Sequence, residues 1–239
     1  MIYTSGKSIT ASLLNSKSEL SIIGTFQLVQ DNITDLMQQL GIDGLTTHKN
    51  YNAMWVVSKN KVCIVKAPFW NSNVAVKSFV SCKTLVKINI DTIGTDESGE
   101  ICFYSRAELC AIDADTKRIR KMDSINVGDN IVVHASPVDV EYTHFDGEVG
   151  DMVEKTQVRS TNIDYLHHCN NIEYLRFILN TYAEKVLSND IVSVEIAYVN
   201  QCFEGEHIQV YKNKLDGSDN VYLKRGEDFV IKSNIQFRR

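Results

Sequence analysis

The stretch Thr161-Asn162-Ile163-Asp164-Tyr165-Leu166-His167-His168-Cys169-Asn170-Asn171-Ile172-Glu173-Tyr174-Leu175 gathers a carboxylate, two histidines, a cysteine and a pair of adjacent asparagines ahead of a helix. From Asn171 onward, apolar residues fall at Leu175, Ile178, Leu179, Tyr182 and Val186, a helical stripe that predicts a helix to about Leu187. Asn170 or Asn171 is a natural N-cap. The reactive side chains therefore sit where first-turn N–H groups lack partners and the helix dipole favours negative charge. On these residues alone, two readings stand side by side. One is a site that stabilises developing negative charge; the other is a decorated cap with solvated histidines.

The composition around this stretch is that of an ordinary globular chain. Of 239 residues, 44% are hydrophobic and 23% charged, which argues against disorder and allows one large domain or two of common size. A net charge of −5 argues against a general nucleic-acid binder. No apolar run approaches the roughly 18 residues of a membrane span. The first residues, Met1 to Lys7, lack a charged-then-apolar signal pattern, so the expected location is cytoplasmic. The six cysteines form no Cys-x-x-Cys pair and lie mostly among strand-like residues, so buried free thiols are expected rather than zinc or disulfides. His167, His168 and Cys169 are adjacent, and their side chains diverge too much to share an ion. Neither a metal nor another cofactor is expected.

In chain order, residues 1–12 read as a short strand and turn. A strong helix follows over 20–40, with Ile22, Ile23, Phe26, Val29, Ile33, Leu36, Met37 and Leu40 along one side and Gly41 as its stop. Asp43 to Asn52 reads as a polar loop. Strand-like runs come at Trp55–Lys66, Val74–Cys82, Leu85–Ile93 and Ile101–Ile112, joined by breaks too short for parallel crossovers, hence an antiparallel sheet. A linker is placed at 131–152, between domains at 1–130 and 153–239. The order then repeats: a strand at about Val153–Ser160, the helix from Asn171, and runs at Ile191–Phe203, His207–Lys212, Val221–Lys224 and Phe229–Phe237. Aligning Val74-Ala75-Val76 with Ile208-Gln209-Val210 sets Phe69 against Phe203, Val65 against Val199 and Val62 against Ile196. The pattern predicts an α+β duplication, each copy a curved antiparallel sheet wrapped around one long helix.

Four places in this pattern resemble the acyl-acyl carrier protein (acyl-ACP) thioesterases, a family of tandem hot-dog domains. They are Gln30-Asp31 with the helix end at Leu40-Gly41; Trp55-Val56-Val57-Ser58-Lys59 running to Pro68; Ile112-Asp113-Ala114-Asp115-Thr116-Lys117-Arg118; and Asp164-x-Leu166-x-His168-x-Asn170-Asn171. The last is the most specific, matching the family's Asp-x-Asn-x-His-x-Asn-Asn before its second helix. The resemblance covers most of the chain. It implies hydrolysis of fatty acyl thioesters on acyl carrier protein in fatty acid biosynthesis, by a monomer or homodimer. An acyl-CoA thioesterase and an acyl-thioester-binding protein without hydrolysis are the alternatives. The family's polar machinery maps onto Asp164, Leu166, His168 and Gln201, followed by Cys202; Leu166 stands where the family has Asn, and Gln201 where it has Glu.

Thioester hydrolysis needs an activated water or nucleophile, donors for the oxyanion and a channel for the acyl chain. Backbone N–H groups at Asn170 and Asn171 are candidate oxyanion donors, worth about 3 kcal/mol each if well aimed. Three groups could activate. Asp164 could act as base or nucleophile, with His168 orienting water or substrate; general-base help contributes about 10²–10⁴-fold. Cys202 and His168 could form a thiolate–imidazole dyad, although strand alternation from Val192 to Tyr198 points Cys202 toward the core. Gln201 could position water without taking its proton. In the first copy Ala67 holds the place of Gln201, and no Asp-x-x-x-His precedes the helix. That half is therefore expected to be non-catalytic and to supply the acyl channel, with Ile22, Phe26, Val29 and Trp55 as lining candidates. Lys117, Arg118, Arg120 and Lys121 form the densest positive patch, and since carrier proteins are acidic they are candidate docking residues.

Overall fold

The computed structural model describes residues 1–128, 131–145, 148–183, 185 and 190–238. Val186 and Leu187 lie outside the described residues, as do Asp129 and Asn130 at the expected domain boundary.

The first copy comprises strand β1 (Ile2–Ser8), helix α1 (Ile22–Gln39), helix α2 (Gly44–Tyr51) and strands β2 (Ala53–Ile64), β3 (Asn73–Lys83), β4 (Lys87–Thr95) and β5 (Ile101–Asp113). The second comprises β6 (Asp151–Gln157), α3 (Asn171–Leu179), β7 (Ile191–Tyr198), β8 (His207–Leu215), β9 (Ser218–Arg225) and β10 (Asp228–Phe237). All ten strands pair antiparallel in one continuous sheet, ordered β1-β3-β4-β5-β2-β7-β10-β9-β8-β6. The copies join edge to edge where β2 meets β7, with Lys59 opposite Ala197 and Cys63 opposite Ser193.

The apolar stripe of α1 lies across the first half of the sheet, burying Phe26, Val29, Ile33, Leu36 and Met37. Ser21 caps the helix by accepting the Gly24 N–H (2.9 Å). Residue 24 has to be glycine, because a Cβ there would collide with the Leu13 carbonyl oxygen. The one amide on the buried stripe is satisfied on both ends: Asn32 Oδ1 accepts from Ser5 Oγ (2.7 Å), and its Nδ2 donates to Ser78 Oγ (2.8 Å).

The duplication repeats in hydrogen bonds, not only in order. Leu20 N–H donates to Pro68 O as Cys169 N–H donates to Cys202 O; Asn71 N–H reaches Ile9 O as Gly205 N–H reaches Val158 O. Val65 and Lys66 both bond Cys102 O, and Val199 and Asn200 both bond Val230 O. These pairs keep the spacing that sets Phe69 against Phe203 and Val65 against Val199.

Three expectations change. The stretch from Asp43 to Asn52 is a helix rather than a loop: Asp43 Oδ1 accepts the Leu45 and Thr46 N–H groups, and Asn52 closes the end in the left-handed conformation (φ 49°). The helix beginning at Asn171 is interrupted by a 3-10 turn at Asn180–Tyr182, where Thr181 Oγ1 donates to Ile178 O and competes with the backbone ladder, and Ala183 and Lys185 beyond it are helical again. The run after Ile191 stops as a strand at Tyr198, leaving Gln201 and Cys202 in the following loop.

The expected linker is a strap pinned to the outer face of the sheet. Arg106 forms a two-pronged ion pair with Asp91, which has no exposed surface (Nε–Oδ1 and Nη2–Oδ2, both 2.8 Å), and also donates to Val140 O. Lys61 donates to Glu141 O (2.6 Å), and Thr143 gives its N–H and hydroxyl to the buried Glu195 carboxylate. Strap residues thus hold groups on both sides of the β2–β7 join. Removing one partner of a buried pair strands the other charge, so Arg106→Ala is expected to cost about 3–5 kcal/mol, read as a fall in the urea midpoint.

Candidate functional site

Ile163 and Cys169 pair as an antiparallel bridge, closing a tight turn held by Asp164. Its Oδ1 accepts the Leu166 N–H (2.9 Å) and, at longer range, the His168 N–H (3.4 Å), while its own N–H donates to His168 O (2.9 Å). His167 takes the left-handed corner (φ 62°). The first copy builds the same turn with a neutral amide. Leu14 bridges Leu20, Asn15 Oδ1 accepts from Lys17 and Glu19 N–H (2.8 and 3.0 Å), and Ser18 takes the corner (φ 61°). Holding the turn therefore needs a side-chain oxygen but no charge. The carboxylate at Asp164 is an addition to that architecture, and its Oδ2 has no partner among the described residues.

The Asp164 turn forms one wall of a cavity of about 480 Å³. Its other walls come mainly from the first copy: Phe26, Gln30, Ile33, Thr34 and Met37 of α1; Gly44, Leu45 and His48 of α2; Met54, Trp55, Val57 and Asn60 of β2; and Ala107 and Leu109 of β5. Asn170, Asn171, Ile172 and Tyr198 complete it from the second copy. Trp55 is locked in place by Nε1 donating to Ile42 O (2.7 Å) and Thr47 Oγ1 (3.2 Å), which also docks α2 onto β2. Leu45, Tyr165 and Leu166 are exposed large apolar side chains on this lining, Tyr165 at 72%. The cavity thus combines apolar residues of α1, β2 and β5 with polar ones, among them two carboxylate residues, Asp164 and the α2 cap Asp43.

The expected site residues divide. Asp164, Asn170, Asn171, Phe26 and Trp55 share the cavity; Ile22 and Val29 do not, being packed in the core. Of the two proposed oxyanion donors, the Asn170 N–H is spent on Asn162 O (2.8 Å). Its side chain caps the Ile172 N–H, and Glu173 N–H bonds Asn170 O, so the Asn171 N–H is the helix-start donor without a partner among the described residues. His168 is off the wall, its ring against Phe203 (5.4 Å between centroids).

Cys202 has no exposed surface, and its N–H is held by the Tyr174 hydroxyl (2.8 Å). Burial pushes its thiol up to about 11 and that of neighbouring Cys169 up to about 12, which leaves both as inert core thiols. Cys202 is brought to Cys169 and Tyr174 rather than to the cavity, so the thiolate–imidazole dyad is not assembled. Gln201 is exposed, off the cavity wall, with its carbonyl accepting from Arg225 Nη1 (3.3 Å). In the basic patch, Arg120 is committed to Asp113 (3.1 Å) and Tyr51 O (3.3 Å), while Lys117, Arg118 and Lys121 are exposed. Lys117 Nζ lies 3.8 Å from Sδ of the cavity residue Met54.

Residues of α2, Asn60 and Tyr198 were not expected on the cavity wall. The Asp43 cap was the available signal for α2. Asn60 and Tyr198 gave none, since their facing depends on the join and on a bulge at Ser58.

Two family models match the chain: the acyl-ACP thioesterase N-terminal domain over residues 8–127 and the acyl-ACP thioesterase C-terminal domain over residues 148–238. A dodecanoyl-[acyl-carrier-protein] hydrolase of Cinnamomum camphora is 23% identical over 217 residues, 85% of this chain and 57% of that protein. A palmitoyl-acyl carrier protein thioesterase of Cuphea hookeriana is 25% identical over 159 residues, 62% of this chain. The chain spans 38% to 57% of the length of these curated relatives. Among solved structures, an acyl-ACP thioesterase from Bacteroides thetaiotaomicron superposes with a TM-score of 0.90 at 17% identity, covering 99% of this chain and 98% of that one. A 12:0-ACP thioesterase from Umbellularia californica does so at 0.87 and 16%, covering 99% and 97%. These likenesses establish the tandem hot-dog fold.

Burial pushes the His168 imidazole below its ordinary value, opposed by the Asp164 charge and reinforced by Lys117 and His167. The unfolded chain then binds more protons in the imidazole range, so stability is present above that range and lost as pH falls through it. The melting temperature is expected to drop between about pH 7 and pH 5, and His168→Phe should flatten part of that slope.

Proposed function

The chain belongs to the acyl-ACP thioesterase family, and on that premise we propose that it hydrolyses fatty acyl thioesters carried on acyl carrier protein, releasing free fatty acid. One observation supports the reading: apolar side chains of the first copy and Asp164 with the α3 start of the second line one cavity. The acyl chain fills the space between α1 and β2, and the thioester carbonyl stops beside Asp164. Asp164 Oδ2 takes the proton of an attacking water, and the Asn171 N–H steadies the oxyanion of the tetrahedral intermediate. Collapse of that intermediate breaks the carbon–sulfur bond, and the Asp164 carboxyl returns its proton to the departing sulfur, so the carrier leaves as its thiol, the fatty acid departs and Asp164 is a carboxylate again. His168 acts through Asp164 as a positioning residue. Cys202 and Gln201 are assigned no chemical step, because burial holds the Cys202 thiol inert and Gln201 lies off the cavity wall. The first copy supplies the channel, the second the chemistry.

A binding protein without hydrolysis is the second reading, favoured by Leu166 on the wall where the family has Asn. The first copy's turn provides the test that separates them. Asp164→Asn keeps the side-chain oxygen that Asn15 uses and removes only the base. It is expected to leave the melting temperature near wild type while lowering kcat about 10²–10⁴-fold on acyl-ACP, with Cys202→Ser retaining turnover. Wild-type protein that binds acyl-ACP yet turns none over would establish the binding reading.

Lys117, which reaches the cavity residue Met54, provides with Arg118 and Lys121 the surface for the acidic carrier, and six free thiols fit a cytoplasmic setting. Two copies already pair within one chain, which supports a monomer or a homodimer. Charge reversal at Arg118 and Lys121 is expected to raise KM for acyl-ACP about tenfold and leave KM for a small acyl thioester unchanged.

A further inference from the structure

Among the polar groups on the cavity wall that have no part in the hydrolytic chemistry, Asn60 is the one left enclosed and unpaired among the described residues. Asn60 on β2 is only 9% exposed, and its Oδ1 is enclosed with no hydrogen-bond partner among the described residues. Ala107 faces it across the β2–β5 pair, and Val57, which precedes it on the same face of β2, is also on the wall; neither can meet an amide. The Thr34 hydroxyl on the wall donates to Gln30 O (2.9 Å), within its own helix. A buried amide left in this state is unfavourable, so a ligand that pairs with it gains more than one that does not.

The position is built rather than incidental. A β-bulge at Ser58 interrupts the alternation of β2, and Ser58 Oγ is fixed by Glu108 O (3.1 Å) and Glu108 Oε1 (2.6 Å). Beyond the bulge, Asn60 faces the same side as Trp55 and Val57, opposite Ala107. It also borders the second copy. Asn60 pairs with Ile196, which places the wall residue Tyr198 diagonally across the join, about 8 Å away. Tyr198 in turn packs against Tyr174 in the first turn of α3 (6.3 Å between centroids).

We propose that Asn60 is a specificity-determining residue, and that the cavity selects acyl chains oxygenated near the thioester, a β-hydroxyacyl or β-oxoacyl chain whose oxygen pairs with the Asn60 carboxamide. The inference rests on the hydrolase reading of the cavity. Rotation of the amide presents either its donor or its acceptor, so a hydroxyl and an oxo group are both served.

The test compares dodecanoyl and β-hydroxydodecanoyl chains, each loaded on acyl carrier protein for turnover and each as the free acid for calorimetric binding. Full-length wild type is expected to prefer the hydroxylated chain about tenfold in kcat/KM and in Kd, one well-made buried hydrogen bond's worth. Asn60→Leu should erase or invert that preference and raise the melting temperature, because it removes an unpaired buried amide. Equal handling of the two chains by wild type, or a preference retained by Asn60→Leu, overturns the proposal. Should neither acyl-ACP be turned over, the hydrolase reading fails by itself, and the free-acid Kd values still decide the role of Asn60.

Discussion

The antiparallel join of β2 to β7 is the contact on which the rest of the molecule depends. Each copy alone would leave its last strand edge unpaired, a row of free N–H and C=O groups open to aggregation. Pairing the two edges covers both and sets the register, Lys59 against Ala197 through Cys63 against Ser193. Charge reinforces that register, since Lys61 lies 3.4 Å from the almost fully buried Glu195 on the facing strand. The same register brings the turn of the second copy against the helix of the first. The cavity draws α1, α2 and β2 walls from one copy and Asp164 from the other.

Duplication followed by divergence explains how a site arises here without new architecture. The turn before each helix is closed by one side-chain oxygen on two backbone N–H groups, Asn15 in one copy and Asp164 in the other. Exchanging amide for carboxylate leaves those bonds in place and adds a charge with a free oxygen on the cavity wall. At the helix start the two copies also share the bond that consumes a donor, Ser21 N–H to Leu13 O and Asn170 N–H to Asn162 O. Only the following N–H remains for a ligand. Structure thus narrows a cluster of candidates to one carboxylate and one donor.

Much of the fold was legible because its signals are local. The stripe on α1, the turn breaks between strands and the echo between Phe69 and Phe203 each rest on spacing within a short window. What escaped depends on contacts distant in sequence. The helix at Gly44–Tyr51 has few apolar residues, and its place is secured by Trp55 reaching Ile42 and Thr47. Residues 131–145 read as a linker because their partners, Arg106, Lys61 and Glu195, lie on strands far away in the chain. Alternation along the last run assigned Cys202 to the core, and it is buried, but the strand had already ended and the Tyr174 hydroxyl holds the loop there. Ile22 and Val29 carry the same helical stripe as Phe26, and only the packing of α1 decides which of them meets the cavity.

The central claim is that the acyl chain of one substrate lies in the first copy while its thioester meets the second. A carrier protein loaded with an acyl chain bearing a terminal diazirine tests this directly, by photolysis in complex with the chain and mass spectrometry of the labelled peptides. The account predicts labels on cavity residues of α1 and β2, among them Ile33, Met37 and Val57. Labels confined to β8, β9 and β10 would contradict it.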